Sequence, residues 1–183
     1  VYTWRFQTGI EHQPGPPNSQ PSNAITIDCI NATCLDSHSS TIMSSLADYT
    51  SVQEVSANKA TLASLKAEFA AAGHHFVSTD TDSNSTHLVG GVGMLSAKRG
   101  RMFELPPLAS DFANGVKRGR LLHTALSCGQ GRFFSVFTIY GVSGGAGCKS
   151  KAAVTSKLIA AISHEMQLRG IKHALIMGDI NAN

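Results

Sequence analysis

The last stretch of the sequence, HALIMGDINAN over residues 173–183, ends an apolar run with an acid and an amide two positions apart. Side chains at i and i+2 point to the same side of an extended chain, so Asp179 and Asn181 are predicted to share one face. A carboxylate at the end of an apolar strand needs solvent, a charged partner or a bound ion. The pair therefore marks a candidate site.

Three further polar side chains, Asn31, Glu54 and Tyr140, lie at or near the C-terminal ends of apolar runs. Strand ends that converge on one rim are a common location for a binding or catalytic site. Carboxylate and amide oxygens without accompanying cysteine favour a hard cation such as Mg²⁺ or Mn²⁺. Taken singly, each residue also has a structural explanation, such as an Asx turn for Asp179.

The elements that must position these residues mix β-hairpins with helical crossovers. Several predicted strands are apolar on both faces and need covering layers, which favours sheets packed face to face with helices outside. Asn58 is the expected N-cap of the clearest amphipathic helix. The predicted strands cover residues 24–35, 49–56, 87–97, 119–128, 132–142 and 173–180, and the predicted helices cover 39–48, 57–73 and 151–170.

Composition suits one globular domain with a sizeable core, since 42% of the 183 residues are hydrophobic and 15% are charged. Residues 12–23 carry four prolines and almost nothing apolar. We therefore interpret residues 1–24 as a linker or disordered lead-in and residues 25–183 as the domain. No apolar run approaches the ~20 residues that a membrane-spanning helix needs, so we expect no membrane partner.

The net charge of +3 permits an anionic partner without requiring one. Basic residues cluster at residues 97–101 and 116–120, where they could be solvated or could contact phosphates. The four cysteines show neither paired zinc spacing nor a dense disulfide framework. This favours an intracellular protein, with the nucleus as the candidate compartment.

Five segments in order resemble the endonuclease/exonuclease/phosphatase family: ITIDCIN, ADYTSVQEV, GGVGMLS, GRLLHTALSCGQGRFFSVFTIYG and ALIMGDIN. That family includes DNase I-like nucleases, apurinic endonucleases, inositol-polyphosphate phosphatases and the endonuclease domains of LINE-type retrotransposons. The resemblance runs over residues 25–181. It implies an α/β (α+β) four-layer sandwich, in which two packed mixed β-sheets are flanked by helices, and metal-dependent hydrolysis of a phosphoester.

The resemblance also implies a role for each candidate residue. Glu54 would be the principal metal ligand, with Asn31 in the network around metal and phosphate. Asp179 would orient or deprotonate the attacking water, and Asn181 would hold Asp179 or the phosphate. Tyr140 would contact the phosphate or stabilise the leaving oxygen. These roles require Glu54 and Asp179 to be neighbours around a single Mg²⁺ or Mn²⁺ ion, although they are far apart in sequence.

The sequence departs from the family pattern at several points. Ile30 stands where the family often has Trp, Thr33 stands where some nucleases have Asp, and residues 140–142 read Tyr-Gly-Val in place of Tyr-Ala-Pro. The family's last motif, Ser-Asp-His, lies beyond the position of Asn183. We therefore expect a sandwich that is incomplete at the C-terminus, with an unpaired strand edge, and a 183-residue chain that is inactive on its own.

Two classes of function remain open. The leading hypothesis is a metal-dependent nuclease acting on DNA, with the LINE-type endonucleases as the favoured branch and phosphoinositide or sphingomyelin phosphoesterases as rivals. The other is a non-catalytic nucleic-acid-binding relic of the same fold. In either case Arg118 and Arg120 are the candidates for contact with nucleic-acid phosphates. A steep loss of DNA affinity with salt, without cleavage, would favour the relic.

Overall fold

The computed structural model describes residues 3–4, 25–82, 89–97, 101–128, 130–143 and 148–181. These ranges form nine strands and four helices. The strands are β1 (Thr3–Trp4), β2 (Thr26–Asn31), β3 (Tyr49–Gln53), β4 (His75–Ser78), β5 (Val92–Ser96), β6 (Met102–Glu104), β7 (Leu121–Ser127), β8 (Phe133–Tyr140) and β9 (Ala174–Asp179). The helices are α1 (Leu35–Met43), α2 (Lys59–Ala71), α3 (Ser110–Lys117) and α4 (Lys149–Leu168).

The strands form two mixed sheets. In the first sheet the order is β1-β2-β3-β5-β4, with β1, β2 and β3 parallel and with β5 antiparallel to β3 and β4. In the second sheet the order is β6-β7-β8-β9, with β9 parallel to β8 and the other pairs antiparallel. The predicted hairpin over residues 119–142 is confirmed as β7 and β8. Of the predicted lead-in, the structure describes the two-residue backbone of β1, which pairs with β2.

Three apolar clusters hold the layers together, as expected for strands that are buried on both faces. The first cluster lies between the sheets and includes Ile27, Val92 and Leu122. In the second cluster, α1 and α2 cover the outer face of the first sheet. In the third cluster, α3 and α4 cover the outer face of the second sheet. The predicted four-layer sandwich is therefore confirmed. The described helices include none that is long and apolar enough to cross a membrane.

Strand β9 is the last strand of the second sheet in the described residues, where it pairs with β8. Ile176 is 43% exposed and Ile180, just after the strand, is 44% exposed. The predicted incompleteness of the sandwich at the C-terminus remains a prediction.

The sequence analysis missed β4, β6 and α3. Helix α3 contains Gly115, which lowers helix propensity. The structure explains this glycine, because a Cβ there would lie 2.5 Å from the Leu121 side chain and α3 could not pack so closely on β7.

Helix α1 begins at Leu35 instead of at residue 39, after a residue that makes no side-chain cap, so the sequence offered no signal for its start. The predicted cap of α2 is confirmed, since Asn58 Oδ1 accepts the Thr61 N–H at 2.9 Å.

A buried histidine lies between the second sheet and its helices. His123 is 1% exposed, its ring stacks on Phe137 at a centroid distance of 4.1 Å, and its Nε2 lies 3.1 Å from Ser135 Oγ. Burial lowers the pKa of His123 to about 4, with Arg169 acting in the same direction and Glu165 in the opposite one. The imidazole is therefore neutral in the folded protein at neutral pH.

Replacing His123 with Leu should make the free energy of unfolding less dependent on pH between pH 6.5 and about 4. The unfolded state gains a proton near pH 6.5, whereas the folded state gains it only near pH 4, so acidification between these values favours unfolding. The wild-type free energy of unfolding should fall with a slope of up to ~1.4 kcal/mol per pH unit from this residue alone. Urea unfolding across the interval measures the difference between variants. The control is a substitution at an exposed histidine, His173→Gln, and a profile for His123→Leu that runs parallel to the wild-type profile would contradict the prediction.

Candidate functional site

The predicted site residues come together at one rim of the sandwich. In the first sheet Asn31 and Gln53 are register partners at the ends of β2 and β3, and Glu54 follows directly. In the second sheet Tyr140 and Asp179 are register partners at the ends of β8 and β9. Parallel neighbours end at the same edge of a sheet, so each sheet contributes polar groups to the same rim.

A hydrogen bond between Asn31 and Asp179 joins the two sheets. Asn31 Nδ2 donates to Asp179 Oδ2 at 3.2 Å. The other carboxylate oxygen, Oδ1, accepts the main-chain N–H of Asn181 at 2.8 Å. Asn31 Oδ1 accepts the Thr33 N–H at 3.1 Å, which leaves the amide nitrogen to face the carboxylate. Both oxygens of Asp179 are thus held by fixed donors.

A second contact between the sheets joins Tyr140 to Glu54. The Tyr140 hydroxyl donates a hydrogen bond to Glu54 Oε1. Tyr140 is buried and Glu54 is half-buried. Burial raises the pKa of Tyr140 above its usual value, and the hydrogen bond to Glu54 raises it further. The phenol therefore stays protonated at neutral pH and acts as a donor to the carboxylate.

The backbone turns sharply where the strands reach this rim. Thr33, Glu54 and Asn181 have φ angles of 53°, 55° and 49°. The left-handed region costs a residue other than glycine about 1–2 kcal/mol, and such strain tends to occur at functional sites. Asn adopts this region fairly often, but Glu and β-branched Thr do not, so the turns at Glu54 and Thr33 could not be predicted from residue type. The predicted strand over residues 49–56 ends at Gln53 for this reason.

Glycines allow close backbone contacts around the rim. Gly91 and Gly90 accept the N–H groups of Val55 and Ser56 at 3.1 and 2.9 Å, and so hold the segment that follows Glu54. On the second sheet Gly178 has φ +139°, and a Cβ there would overlap the carbonyl oxygen of Ile139 on β8. Only glycine therefore permits the close pairing of β8 and β9 immediately before Asp179.

The two arginines predicted to contact nucleic acid differ in position. Arg118 is exposed, and its Nε lies 3.5 Å from Asp82 Oδ2. Arg120 is half-buried, with its guanidinium carbon 4.6 Å from the centre of the Tyr140 ring. Its Nη1 donates to the Gly141 carbonyl oxygen at 2.8 Å. Arg118 thus lies at the surface beside Asp82, whereas Arg120 is built into the site.

A buried polar network beneath the rim was missed by the sequence analysis. Gln53 is 1% exposed, and its Nε2 donates to Ser51 Oγ at 2.9 Å. Its Oε1 accepts the Cys29 thiol at 3.4 Å, and Ser51 Oγ lies 3.3 Å from Thr138 Oγ1 on the other sheet. Burial raises the pKa of Cys29 to about 11, so this cysteine is a neutral donor and not a nucleophile. The Gln-Glu pair was visible in the sequence, but the inward direction of Gln53 depends on strand pairing.

The donor set fits a hard cation. Glu54 and Asp179 each have a neutral hydrogen-bond partner from the opposite sheet, and in the described part of the chain neither carboxylate forms an ion pair with Lys, Arg or His. Uncompensated carboxylates at a half-buried rim favour a bound divalent cation. Among the described residues, no group of three or more His, Cys, Asp or Glu side chains is arranged to hold a metal ion. A cation here would therefore complete its coordination with amide oxygens and water.

Several solved structures share this fold. The 3′-5′ exonuclease NExo from Neisseria meningitidis matches with a TM-score of 0.59 and 19% identity, over 85% of this chain and 57% of that chain. The 3′ phosphatase NExo from Neisseria bound to product DNA hairpin gives a TM-score of 0.61 and 18% identity over the same shares. The human Nocturnin catalytic domain with bound sulfate gives 0.52 and 16%, over 84% of this chain and 62% of that chain.

These similarities establish the DNase I-like fold, and the neighbours are nuclease and phosphatase proteins of that fold. This chain spans 57–62% of their lengths. No protein-family model and no curated protein matches the sequence.

Proposed function

We propose that this chain provides the metal-binding and substrate-binding rim of a divalent-metal-dependent phosphoester hydrolase that acts on nucleic acid. The observation that carries the proposal is the hydrogen-bonded group at the rim, which links each carboxylate to a neutral donor from the opposite sheet. The shared fold with nucleases and phosphatases supports it. A bound Mg²⁺ or Mn²⁺ would supply neutralisation of the charge that develops on the phosphate oxygens.

Glu54 is the carboxylate best placed to hold the cation. Its Oε1 is fixed by Tyr140, whereas its Oε2 has no hydrogen-bond partner within the described residues. Asn31 would assist with the second lone pair of its amide oxygen, since the first accepts the Thr33 N–H. An anionic ligand whose orientation is fixed by a neighbouring donor loses little freedom when it binds an ion.

Asp179 is the candidate for orienting the attacking water and accepting its proton. Donors hold both of its oxygens, so the carboxylate plane has a defined direction while lone pairs remain for water. Asn181 contributes in two ways, because its main chain holds Asp179 and its Nδ2 donates to the Gly141 carbonyl oxygen at 3.3 Å. Tyr140, as a protonated phenol, can donate to Glu54 or to a phosphate oxygen.

Nucleic acid, with DNA first, is the proposed substrate. The net charge of +3 and the exposed Arg118 suit a polyanion, and one structural neighbour is bound to a DNA hairpin. The LINE-type branch is the finer proposal and rests on the sequence motifs; a reverse transcriptase encoded in the same gene would support it. An intracellular, nuclear location is part of the same proposal.

The full-length protein should hydrolyse DNA only in the presence of Mg²⁺ or Mn²⁺. Removing the metal with a chelator should abolish product formation, and adding either ion back should restore it, because the phosphodiester needs charge neutralisation. The measurement is the release of labelled product from a DNA hairpin and, in parallel, from a phosphoinositide. Hydrolysis that is unchanged by chelation would contradict the proposal. Salt-sensitive DNA binding without hydrolysis would instead favour the non-catalytic relic.

A further inference from the structure

The main chain around Arg120 connects the two sheets at the rim. The Arg120 carbonyl oxygen accepts the Tyr140 N–H at 2.9 Å, and the Arg120 N–H donates to the Gly115 carbonyl at the same distance. The preceding residue, Gly119, accepts the Gly91 N–H at 2.9 Å. Because Gly91 also holds the segment after Glu54, this part of the chain touches both sides of the candidate site.

The Arg120 side chain has two partners, and both belong to the site. Its guanidinium lies 4.6 Å from the centre of the Tyr140 ring while its Nη1 donates to the Gly141 carbonyl oxygen at 2.8 Å. A planar guanidinium can stack through its face and donate through its edge at the same time, which a lysine ammonium cannot do. The Gly141 carbonyl oxygen also accepts Asn181 Nδ2.

Each of these contacts leads to one of the two carboxylates. The Tyr140 ring that Arg120 covers carries the hydroxyl that donates to Glu54. The carbonyl that Arg120 holds is shared with Asn181, whose main chain donates to Asp179. A single side chain thus supports the donors of both acids.

We infer that Arg120 is a positioning residue that orients Glu54 through Tyr140 and Asp179 through the Gly141 carbonyl and Asn181, and that it does not contact the substrate phosphate. This inference rests on the proposed function and deepens it by assigning different roles to Arg118 and Arg120. Arg118 remains the candidate for a phosphate contact, because it is exposed at the surface. Arg120 instead uses both the face and the edge of its guanidinium within the protein.

The matched variants Arg120→Lys and Arg118→Lys test this assignment on the 183-residue chain. Both substitutions keep the positive charge, so a difference in Mn²⁺ affinity cannot come from the loss of that charge. Arg120→Lys should lower the affinity for Mn²⁺, measured by calorimetry, about 10-fold or more, which is the usual effect of losing an outer-shell partner. Arg118→Lys should leave that affinity unchanged.

A second readout needs no metal. In the protein labelled with ¹³C on tyrosine rings, Tyr140→Phe identifies the Tyr140 resonance. Arg120→Lys should shift that resonance and leave the Tyr49 resonance in place, whereas Arg118→Lys should shift neither. If the wild type binds no Mn²⁺, the proposed function fails, and the ring resonance still decides whether Arg120 orders Tyr140.

The salt dependence of DNA affinity separates positioning from phosphate contact. Loss of one phosphate contact lowers the slope of log affinity against log salt by about 1. Arg120→Gln should keep the wild-type slope, whereas Arg118→Gln should lower it. Two results would overturn the inference. One is a lowered slope for Arg120→Gln. The other is wild-type Mn²⁺ affinity together with an unshifted Tyr140 resonance in Arg120→Lys. Thermal unfolding of each variant identifies the temperature range in which it is folded, and the affinities and resonances are compared within that range.

Discussion

Asp179→Asn should lower the rate of DNA hydrolysis by the full-length protein about 10²–10⁴-fold, the usual contribution of a positioned general base. The substitution keeps the size of the side chain and removes the charge that would orient water and accept its proton. It also brings an amide NH₂ next to the donors from Asn31 and Asn181, so one of those hydrogen bonds is lost. Single-turnover hydrolysis of a labelled DNA hairpin measures the effect on the chemical step.

The control for this prediction is Asp36→Asn, the same chemical change at an exposed position in the first turn of α1. It should keep the wild-type rate. Affinity for Mn²⁺ should change little in Asp179→Asn, because Glu54 is the proposed principal ligand. A rate close to wild type for Asp179→Asn would remove Asp179 from the chemistry and leave it with the structural role of joining the sheets.

Glu54→Gln should weaken Mn²⁺ binding by the 183-residue chain by at least about 100-fold, since losing even an outer-shell partner costs about 10–100-fold. The amide keeps an oxygen that can accept the Tyr140 hydroxyl, so the contact between the sheets is retained. The charge that holds the cation is removed. Calorimetric titration with Mn²⁺ measures the affinity, and it requires no catalytic turnover.

Glu68→Gln is the matched control, because Glu68 is exposed on α2. It should bind Mn²⁺ as the wild type does. Thermal unfolding of Glu54→Gln should lie close to that of the wild type, since the amide oxygen can still accept the Tyr140 hydroxyl. Equal Mn²⁺ affinity in the wild type and Glu54→Gln would show that the cation, if bound, is held elsewhere.

The two variants also separate the proposed roles. Loss of hydrolysis with retained metal binding is expected only for Asp179, whereas loss of both is expected for Glu54. If the two variants behave alike, the site works as one unit and the division of roles between the acids is wrong. For this comparison, hydrolysis of the same DNA hairpin and affinity for Mn²⁺ are both measured for each variant in the same protein.

Much of the fold follows from the sequence alone because short continuous apolar runs and period-3.6 patterns report directly on burial. Strands β2, β3, β5, β7, β8 and β9 were predicted, and so were α2 with its Asn58 cap and α4. Strands apolar on both faces required covering layers, which made two packed sheets with outer helices the expected architecture. Helix α3 was missed because Gly115 is unfavourable for an isolated helix and is favourable only against Leu121.

The sequence also selected the polar residues of the candidate site, since each one interrupts or ends an apolar run. It did not determine how those residues contact one another. Asn31 and Asp179 are 148 positions apart, and their hydrogen bond exists only because two sheets pack with their strand ends on one rim. The pairing of Tyr140 with Glu54 across the sheets depends on the same packing.

The sequence by itself determined the layers of this protein and the residue types that end its strands, because strands that are apolar on both faces must be covered on both sides. Only the tertiary structure decided that Arg120 faces Tyr140 while Arg118 faces solvent, and that Glu54 leaves its strand through a left-handed turn. Those outcomes depend on strand register and on contacts between the sheets, which no local pattern encodes.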